Sequence, residues 1–409
     1  MPLWLDILLI ALAVAAGACG AYWTVGSVRV LGNLRAVPTA RAGLRLPVPG
    51  GSVCVVVPAH NEAGKIGKLV RSLREQDHPA MRVVLALDRC TDATEPEALE
   101  AIAGDPRFEI VRVTACPEGW AGKVNAVWTG VRASAAARDA DLLLFTDADC
   151  VFHPRALSAT AALLRERRLA LLSLLSTLFH DAWFEKLVQP AAGFELTRQY
   201  PPRRCNPRGD DPAAPRPFAN GQFMLFDAAA YRAAGGHESV RDELLEDIAI
   251  ARLMGERGMR TGCLLAAGIV RCRMYDTWEQ FRRGWKRIYT EASKRRVARL
   301  RKAAWVKRVF GALLPCAAGD AVLIGTLAGT LGEWNEPAVA SVACGLWGLS
   351  ASLWAWGMVY RSSGAPLWAM PGFVAGCWLT GDILAEAADD LDRGVKTSWG
   401  GREYAREAR

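Results

Sequence analysis

Four long apolar stretches frame a middle region in which apolar runs are short. The first, Leu3 to Val25, is broken only by Asp6; the others run from Val309 to Leu331, Ala338 to Tyr360 and Pro366 to Ala385. A helix of roughly 20 apolar residues, rising about 1.5 Å each, crosses a hydrocarbon layer about 30 Å thick, so each stretch is a candidate membrane segment. Between them the pattern changes. Ser52 to Val57, Val83 to Leu87, Phe108 to Val113 and Leu142 to Thr146 are strand-like, while Gly64 to Arg74 and Lys123 to Ala137 are helix-like. Strands alternating with helices predict an α/β domain built on a mainly parallel sheet. The pattern divides the chain into an N-terminal transmembrane anchor (1–28), an α/β domain (50–275), amphipathic basic interfacial helices (276–308), C-terminal transmembrane or re-entrant segments (309–385) and a tail (386–409).

Charge orients these pieces. Arg29, Arg35, Arg41 and Arg45 follow the first apolar run rather than precede it, the reverse of a cleavable signal. Basic residues stay on the cytoplasmic side, which places the N-terminus outside and the chain from residue 29 inside. A second basic run, Lys294 to Arg308, stands before the second apolar stretch, and the acidic turn Glu333-Trp334-Asn335-Glu336 follows it. The expected location is therefore the inner (cytoplasmic) membrane, multi-pass, with the α/β domain facing the cytosol. The net charge of +8 and 51% hydrophobic content fit attraction to an anionic membrane surface, with no nucleic-acid partner, since the basic residues crowd the apolar segments. Eleven cysteines form no Cys-x-x-Cys pair and no metal-ligand spacing with the five histidines, as in a reduced, cytosol-facing protein.

Candidate chemistry concentrates at strand ends, where parallel sheets bind ligands. Asp147 and Asp149 follow the strand-like Leu142 to Phe145. Side chains two apart on an extended chain share a face, so the two carboxylates converge into an oxygen site suited to Mg²⁺ or Mn²⁺ completed by substrate phosphates. An Asp-rich turn is the plain alternative. Two further strand ends carry Pro58-Ala59-His60-Asn61-Glu62 and Asp88-Arg89-Cys90-Thr91-Asp92-Ala93-Thr94, of which Asn61, Asp92 and Thr94 also suit helix capping. Gly119-Trp120-Ala121-Gly122-Lys123-Val124 lacks the earlier Gly and the Ser/Thr after Lys of a P-loop.

Taken in order, Val55 to Glu62, Asp88 to Thr94, Gly122-Lys123-Val124-Asn125-Ala126, Thr146 to Asp149 and Glu246-Asp247 resemble the motifs of inverting glycosyltransferases of family 2, which have the GT-A fold. Ala219-Asn220-Gly221-Gln222-Phe223 and Gly235-Gly236-His237-Glu238 resemble its membrane-bound bacterial branch, which glycosylates lipids and includes carotenoid, hopanoid-associated and ceramide glycosyltransferases. The resemblance covers about residues 50 to 290. It implies a Rossmann-like, mixed, mainly parallel sheet in a cytosolic GT-A domain, flanked by N- and C-terminal transmembrane helices. It implies that Pro58, His60, Glu62 and Asp88 hold the uridine part of a UDP-sugar, that Lys123 lies near the sugar or diphosphate, and that Asp149, helped by Asp147, holds the ion against the diphosphate.

A sugar transfer also needs a base for the acceptor hydroxyl. Glu246 and Asp247 precede the helix-like Ile248 to Gly255, where the helix dipole favours ionised acids. Asp247 is the expected base and Glu246 the alternative; ordinary first-turn acids would look the same. One base and no nucleophile means inversion. His237 is either a metal or phosphate ligand or a structural histidine. For the acceptor, Trp278, Phe281, Trp285, Ile288 and Tyr289 recur at helical spacing opposite Arg282, Arg283, Lys286 and Arg287, the pattern of a helix lying on the membrane. Trp183 to Val188 is a second such candidate. Gln280-Phe281-Arg282-Arg283-Gly284-Trp285 resembles the Gln-x-x-Arg-Trp element of membrane glycosyltransferases, with Gly284 intruding. Asp320 and Asp382, inside apolar segments, are expected to face protein or water. Pro201 to Pro217 reads as a loop over the active site. Three functions follow: a metal-dependent UDP-sugar:lipid glycosyltransferase, a processive polysaccharide synthase, or a non-catalytic membrane sugar-nucleotide-binding protein. The tail sequence around Trp399 to Tyr404 resembles the cytosolic tail of related enzymes, which favours a re-entrant last segment.

Overall fold

The computed structural model describes residues 2–206, 215–332, 334–399, 402–404 and 407–408; Asp210, Asp211, Glu333, Gly400 and Gly401 lie outside them. The strand-like runs become β1 (Val53–Ala59), β2 (Met81–Asp88), β3 (Phe108–Val113) and β4 (Leu142–Phe145). The apolar residues of β1, β2 and β4 run without alternation because helices cover both faces of the sheet there, and these strands are almost wholly buried, whereas the edge strand β3 leaves Glu109 and Arg112 exposed. Further strands are β5 (Cys150–Phe152), β6 (Leu171–Leu175), β7 (Thr177–Leu178), β8 (Met224–Asp227), β9 (Thr261–Leu265) and β10 (Val270–Cys272).

The main sheet has seven strands in the order β3-β2-β1-β4-β8-β6-β9. Neighbours among β3, β2, β1 and β4 run parallel, as do β6 and β9, whereas β8 is antiparallel to both β4 and β6. The expected mixed, mainly parallel sheet is thus present. Pairing of Val53 with both Met81 and Leu142 puts the ends of β1, β2 and β4 on one edge, which carries His60, Asp88 and Asp147. A second sheet, β5-β10-β7, stands beside that edge.

Among the described residues, four helical segments are long and apolar enough to cross a membrane: Leu3–Arg35, Val297–Leu331, Glu336–Ser363 and Leu367–Asp392. Small residues set their close approach. A Cβ on Gly348 would stand 2.8 Å from the Ala16 carbonyl, and one on Gly345 2.8 Å from that of Ala318, the close backbone packing that lipid-embedded helices favour. The last helix, Phe373–Asp392, differs from the others. Gly372 and Gly376 at its start abut Leu187, and Asp382, Glu386, Asp390 and Asp392 pair with Arg308, Arg282, Lys286 and Arg301. Both of its ends therefore lie against the α/β side of the bundle. Asp382 faces protein as expected; Asp320 is instead exposed on the Leu314–Leu331 helix.

The Trp278–Ala292 helix forms as its periodicity predicts, but its apolar face does not lie on a membrane surface. Phe281, Trp285, Ile288 and Tyr289 are buried in one core with Phe184, Ile383, Leu384 and Ala388. The apolar stripe found a protein partner, the Phe373–Asp392 helix, whose carboxylates also neutralise Arg282 and Lys286. Arg283 remains exposed, and the Gln280 side chain accepts from the Asp276 backbone N–H (2.9 Å) while Thr277 accepts from that of Gln280 (3.3 Å), a helix-capping arrangement. Gly284 is glycine because the Tyr275 ring rests where a side chain would be. In the second candidate, Phe184 joins the same core while Trp183 stays exposed against Trp278. Phe281→Ala should therefore cost roughly 3–5 kcal/mol of stability. A lowered thermal midpoint in detergent is the expected result; an unchanged midpoint would restore the membrane-surface assignment.

Candidate active site

The loops after β1 and β2 are tied to each other by polar side chains. Asn61, in the left-handed region at φ 56°, accepts from the Thr91 backbone N–H (2.8 Å), Asp92 accepts from that of Ala63 (3.1 Å), and Thr94 accepts from that of Glu62 (2.7 Å). These three residues therefore work as loop fasteners. His60 Nδ1 lies 2.6 Å from the Asp88 carbonyl oxygen, and the buried Asp88 carboxylate is held by both guanidinium arms of Arg89 (2.8 and 2.7 Å). Opposite them, Gly122 opens the Gly122–Ala133 helix, and its N–H donates to the Tyr404 hydroxyl from the C-terminal tail (3.2 Å). Neither Arg89 nor Tyr404 was expected here from sequence.

Lys123, in the first turn of that helix, joins the remaining acids. Its Nζ stands 2.7 Å from both Asp147 and Glu246. Burial would lower the Lys123 pKa, but Asp147, Glu246 and Asp247 reverse this and hold it raised, so Lys123 is cationic. Asp247 begins the Glu246–Glu256 helix with both carboxylate oxygens engaged, by the N–H groups of Gly221 (2.8 Å) and Ile248 (2.7 Å). Burial and then the neighbouring Glu246 push its pKa up to about 6. Gly221 lets the cluster close in: a Cβ would meet Lys123 Nζ at 2.9 Å, Glu246 at 3.3 Å and Asp247 at 3.4 Å, so these side-chain tips would have to shift. Gly221→Ala should displace this cluster by a fraction of an ångström. Any turnover that runs through this cluster is expected to fall roughly 10²-fold with the thermal midpoint little changed; unchanged turnover would show that the cluster tolerates displacement.

Asp149 lies past β4 and beside Asp147. Burial, and then Asp147, push its pKa up to about 7, and burial likewise raises Glu62, with Asp147 adding to the effect. Carboxylates crowded in this way favour a cation. The donor set suits a hard divalent ion: two carboxylates on one short turn, with room in the adjoining cavity for phosphate oxygens. Glu62 is 3.7 Å from Lys65, which in turn pairs with Asp276 at 3.2 Å. His237 is set apart. Its ring is buried behind β4, edge-on to Phe145, with Nδ1 2.8 Å from the Tyr231 hydroxyl, and burial lowers its pKa to about 3. The structural alternative for His237 holds.

A cavity of about 2160 Å³ adjoins this cluster. Its lining includes Lys123, Asp147, Gly221, Glu246 and Asp247 together with Tyr22, Val25 and Arg29 of the first helix and Trp354, Met358 and Arg361 of the Glu336–Ser363 helix. Trp285, Arg287 and Ile288 also line it. Of the four residues expected at an acceptor interface, only Trp285 reaches this cavity.

A family model described as glycosyltransferase-like family 2 matches residues 49–299. Among curated proteins, the chain is 25% identical over 245 residues to the 4,4'-diaponeurosporenoate glycosyltransferase of Staphylococcus aureus (strain MRSA252), covering 57% of this chain and 60% of the relative. The chain thus spans about three fifths of the length of that relative. Among solved structures it is similar to the mannosyltransferase PcManGT from Pyrobaculum calidifontis in complex with GDP-Man and Mn²⁺ (17% identity, 93% of this chain and 98% of that one, TM-score 0.45). It is also similar to S. aureus TarS 1-349 in complex with UDP-GlcNAc (11% identity, 87% and 96%, TM-score 0.40).

Proposed function

Because this chain belongs to glycosyltransferase-like family 2, we propose that it moves the sugar of a UDP-sugar, with inversion, to a hydroxyl group of a membrane lipid at the cytosolic face of the inner membrane. The observation that carries this is the single cavity joining the Lys123, Asp147 and Asp247 cluster to two membrane-capable helices. A soluble acceptor needs no such connection, whereas a lipid can present its hydroxyl to Asp247 with its chain still against the cavity-lining ends of the Leu3–Ala36 and Glu336–Ser363 helices. The Staphylococcus aureus relative is named for an acceptor of isoprenoid class, which is consistent with this choice.

Each residue then has a task that its surroundings permit. His60, Glu62 and Asp88 at the strand ends receive the uridine portion, on loops fixed by Asn61, Asp92 and Thr94. Asp147 and Asp149 would hold Mg²⁺ or Mn²⁺. Bound there, the ion supplies counter-charge to the departing diphosphate. Lys123 stands between Asp147 and Glu246, so it fixes the spacing of the donor and base sides of the site and contributes a positive charge toward the phosphates. Asp247 takes the acceptor proton, while the Gly221 and Ile248 N–H groups hold its carboxylate in place.

UDP release by the detergent-purified enzyme, measured across a panel of UDP-sugars with and without membrane lipid extract, tests this assignment. Lipid-dependent release of UDP and recovery of a single-sugar glycolipid are expected. Release that ignores lipid, or long polymer as product, would refute it.

A further inference from the structure

Behind Asp149 lies a set of donors that sugar transfer does not use. Cys150 on β5 and Cys272 on β10 are directly paired across an antiparallel ladder, and both are buried free thiols. Both point at one oxygen: Cys272 Sγ is 3.2 Å and Cys150 Sγ 3.7 Å from Asp149 Oδ1. The three ligand atoms all lie within 4.8 Å of one another. A tetrahedral zinc ion with Zn–S near 2.3 Å and Zn–O near 2.0 Å sets its sulfur and oxygen ligands about 3.5 Å apart. The two observed sulfur–oxygen separations bracket that edge, and the two sulfurs lie within 4.8 Å of each other.

Ligand softness separates this site from that of the hard ion. Mg²⁺ and Mn²⁺ favour carboxylate and phosphate oxygen, whereas Zn²⁺ and Cd²⁺ favour thiolate. We propose that Asp149, Cys150 and Cys272 form a binding site for a thiophilic divalent cation such as Zn²⁺, and that filling it draws Asp149 away from the nucleotide-sugar side and arrests transfer. Binding forms two metal–sulfur bonds and one metal–oxygen bond, the two thiol protons pass to water, and no atom changes oxidation state. The inhibitory consequence rests on the assignment of Asp149 to the donor's ion; the binding does not.

Cadmium titration of the full-length, detergent-purified protein tests the site, read by thiolate-to-cadmium charge-transfer absorption and by inhibition of Mn²⁺-supported UDP release. The comparison is with Cys150→Ala, Cys272→Ala and the near-isosteric Cys272→Ser, each checked for folding by its thermal melt. Wild type is expected to take up one tight equivalent of Cd²⁺ whose absorption is lost in every folded variant, and inhibition by Cd²⁺ or Zn²⁺ should weaken at least tenfold in the variants. As a measurement needing no variant, Co²⁺ bound to wild type should show the visible and near-ultraviolet bands of tetrahedral thiolate coordination. Identical cadmium absorption in wild type and Cys272→Ser, or thiols that serve only to orient Asp149 and bind neither Cd²⁺ nor Co²⁺, overturns the proposal. Cysteine-dependent absorption in a protein that turns over no UDP-sugar would sustain the metal site and sink the enzymatic assignment; turnover without such absorption would do the reverse.

Discussion

Asp149→Asn should abolish sugar transfer, lowering turnover by roughly 10³-fold, about 4 kcal/mol of lost transition-state stabilisation. Donor affinity should fall with it, because the diphosphate loses the counter-charge that the aspartate pair recruits. The variant should also stop responding to added Mg²⁺ or Mn²⁺. Its pH behaviour gives an independent reading. Burial, and then Asp147, push the Asp149 pKa up to about 7, so a proton competes with the cation for the same carboxylate. Metal affinity of the wild type should therefore weaken as pH falls below about 7 and strengthen as it rises. Isothermal titration of Mn²⁺ across that range measures this directly. Wild-type turnover persisting in excess chelator would overturn the assignment of both aspartates to a metal.

The parts of this molecule that were legible in sequence are those whose surroundings left one solution. β1, β2 and β4 are continuous apolar runs, and such runs are stable only when covered on both faces, which implies helices between them and parallel pairing. The ends of those strands then have to share one edge, which places His60, Asp88 and Asp147 together. β8 was not legible. Four residues, Met224–Asp227, carry too little pattern to reveal that they enter the sheet antiparallel between β4 and β6. The Trp278–Ala292 helix failed for a different reason. Its apolar stripe was identified correctly, but the hydrophobic effect does not distinguish a lipid surface from a protein one. The deciding partner was the carboxylate-bearing Phe373–Asp392 helix, far away in sequence, whose Glu386 and Asp390 match Arg282 and Lys286. Cys150 and Cys272 were invisible for the same reason. Only the β5–β10 pairing makes them neighbours, and spacing rules for metal ligands see only local clusters.

Asp247→Asn should separate chemistry from binding. A base acts on the acceptor proton in the transition state, so the rate of the chemical step is expected to fall roughly 10²–10⁴-fold. UDP-sugar affinity should change little, since Asp147 and Lys123 remain to meet the donor. Asparagine keeps the shape and one acceptor oxygen, so it retains the bond from one of the Gly221 and Ile248 N–H groups and turns its own NH2 toward the other; an unchanged thermal melt shows that the fold is kept. Glu246→Gln makes the informative contrast. Glu246 is a direct ion-pair partner of Lys123, so its loss should disturb donor affinity and rate together. The pH profile assigns the base further. Burial and then Glu246 push the Asp247 pKa up to about 6; the ionised, proton-accepting form thus predominates above that value and disappears below it. Single-turnover rates with donor and lipid both saturating should be level above about pH 7 and fall as pH drops through about 6. Asp247→Asn should show no such inflection. If the inflection persists in Asp247→Asn but vanishes in Glu246→Gln, the proton goes to Glu246, and Asp247 serves only to anchor Gly221 beside Lys123.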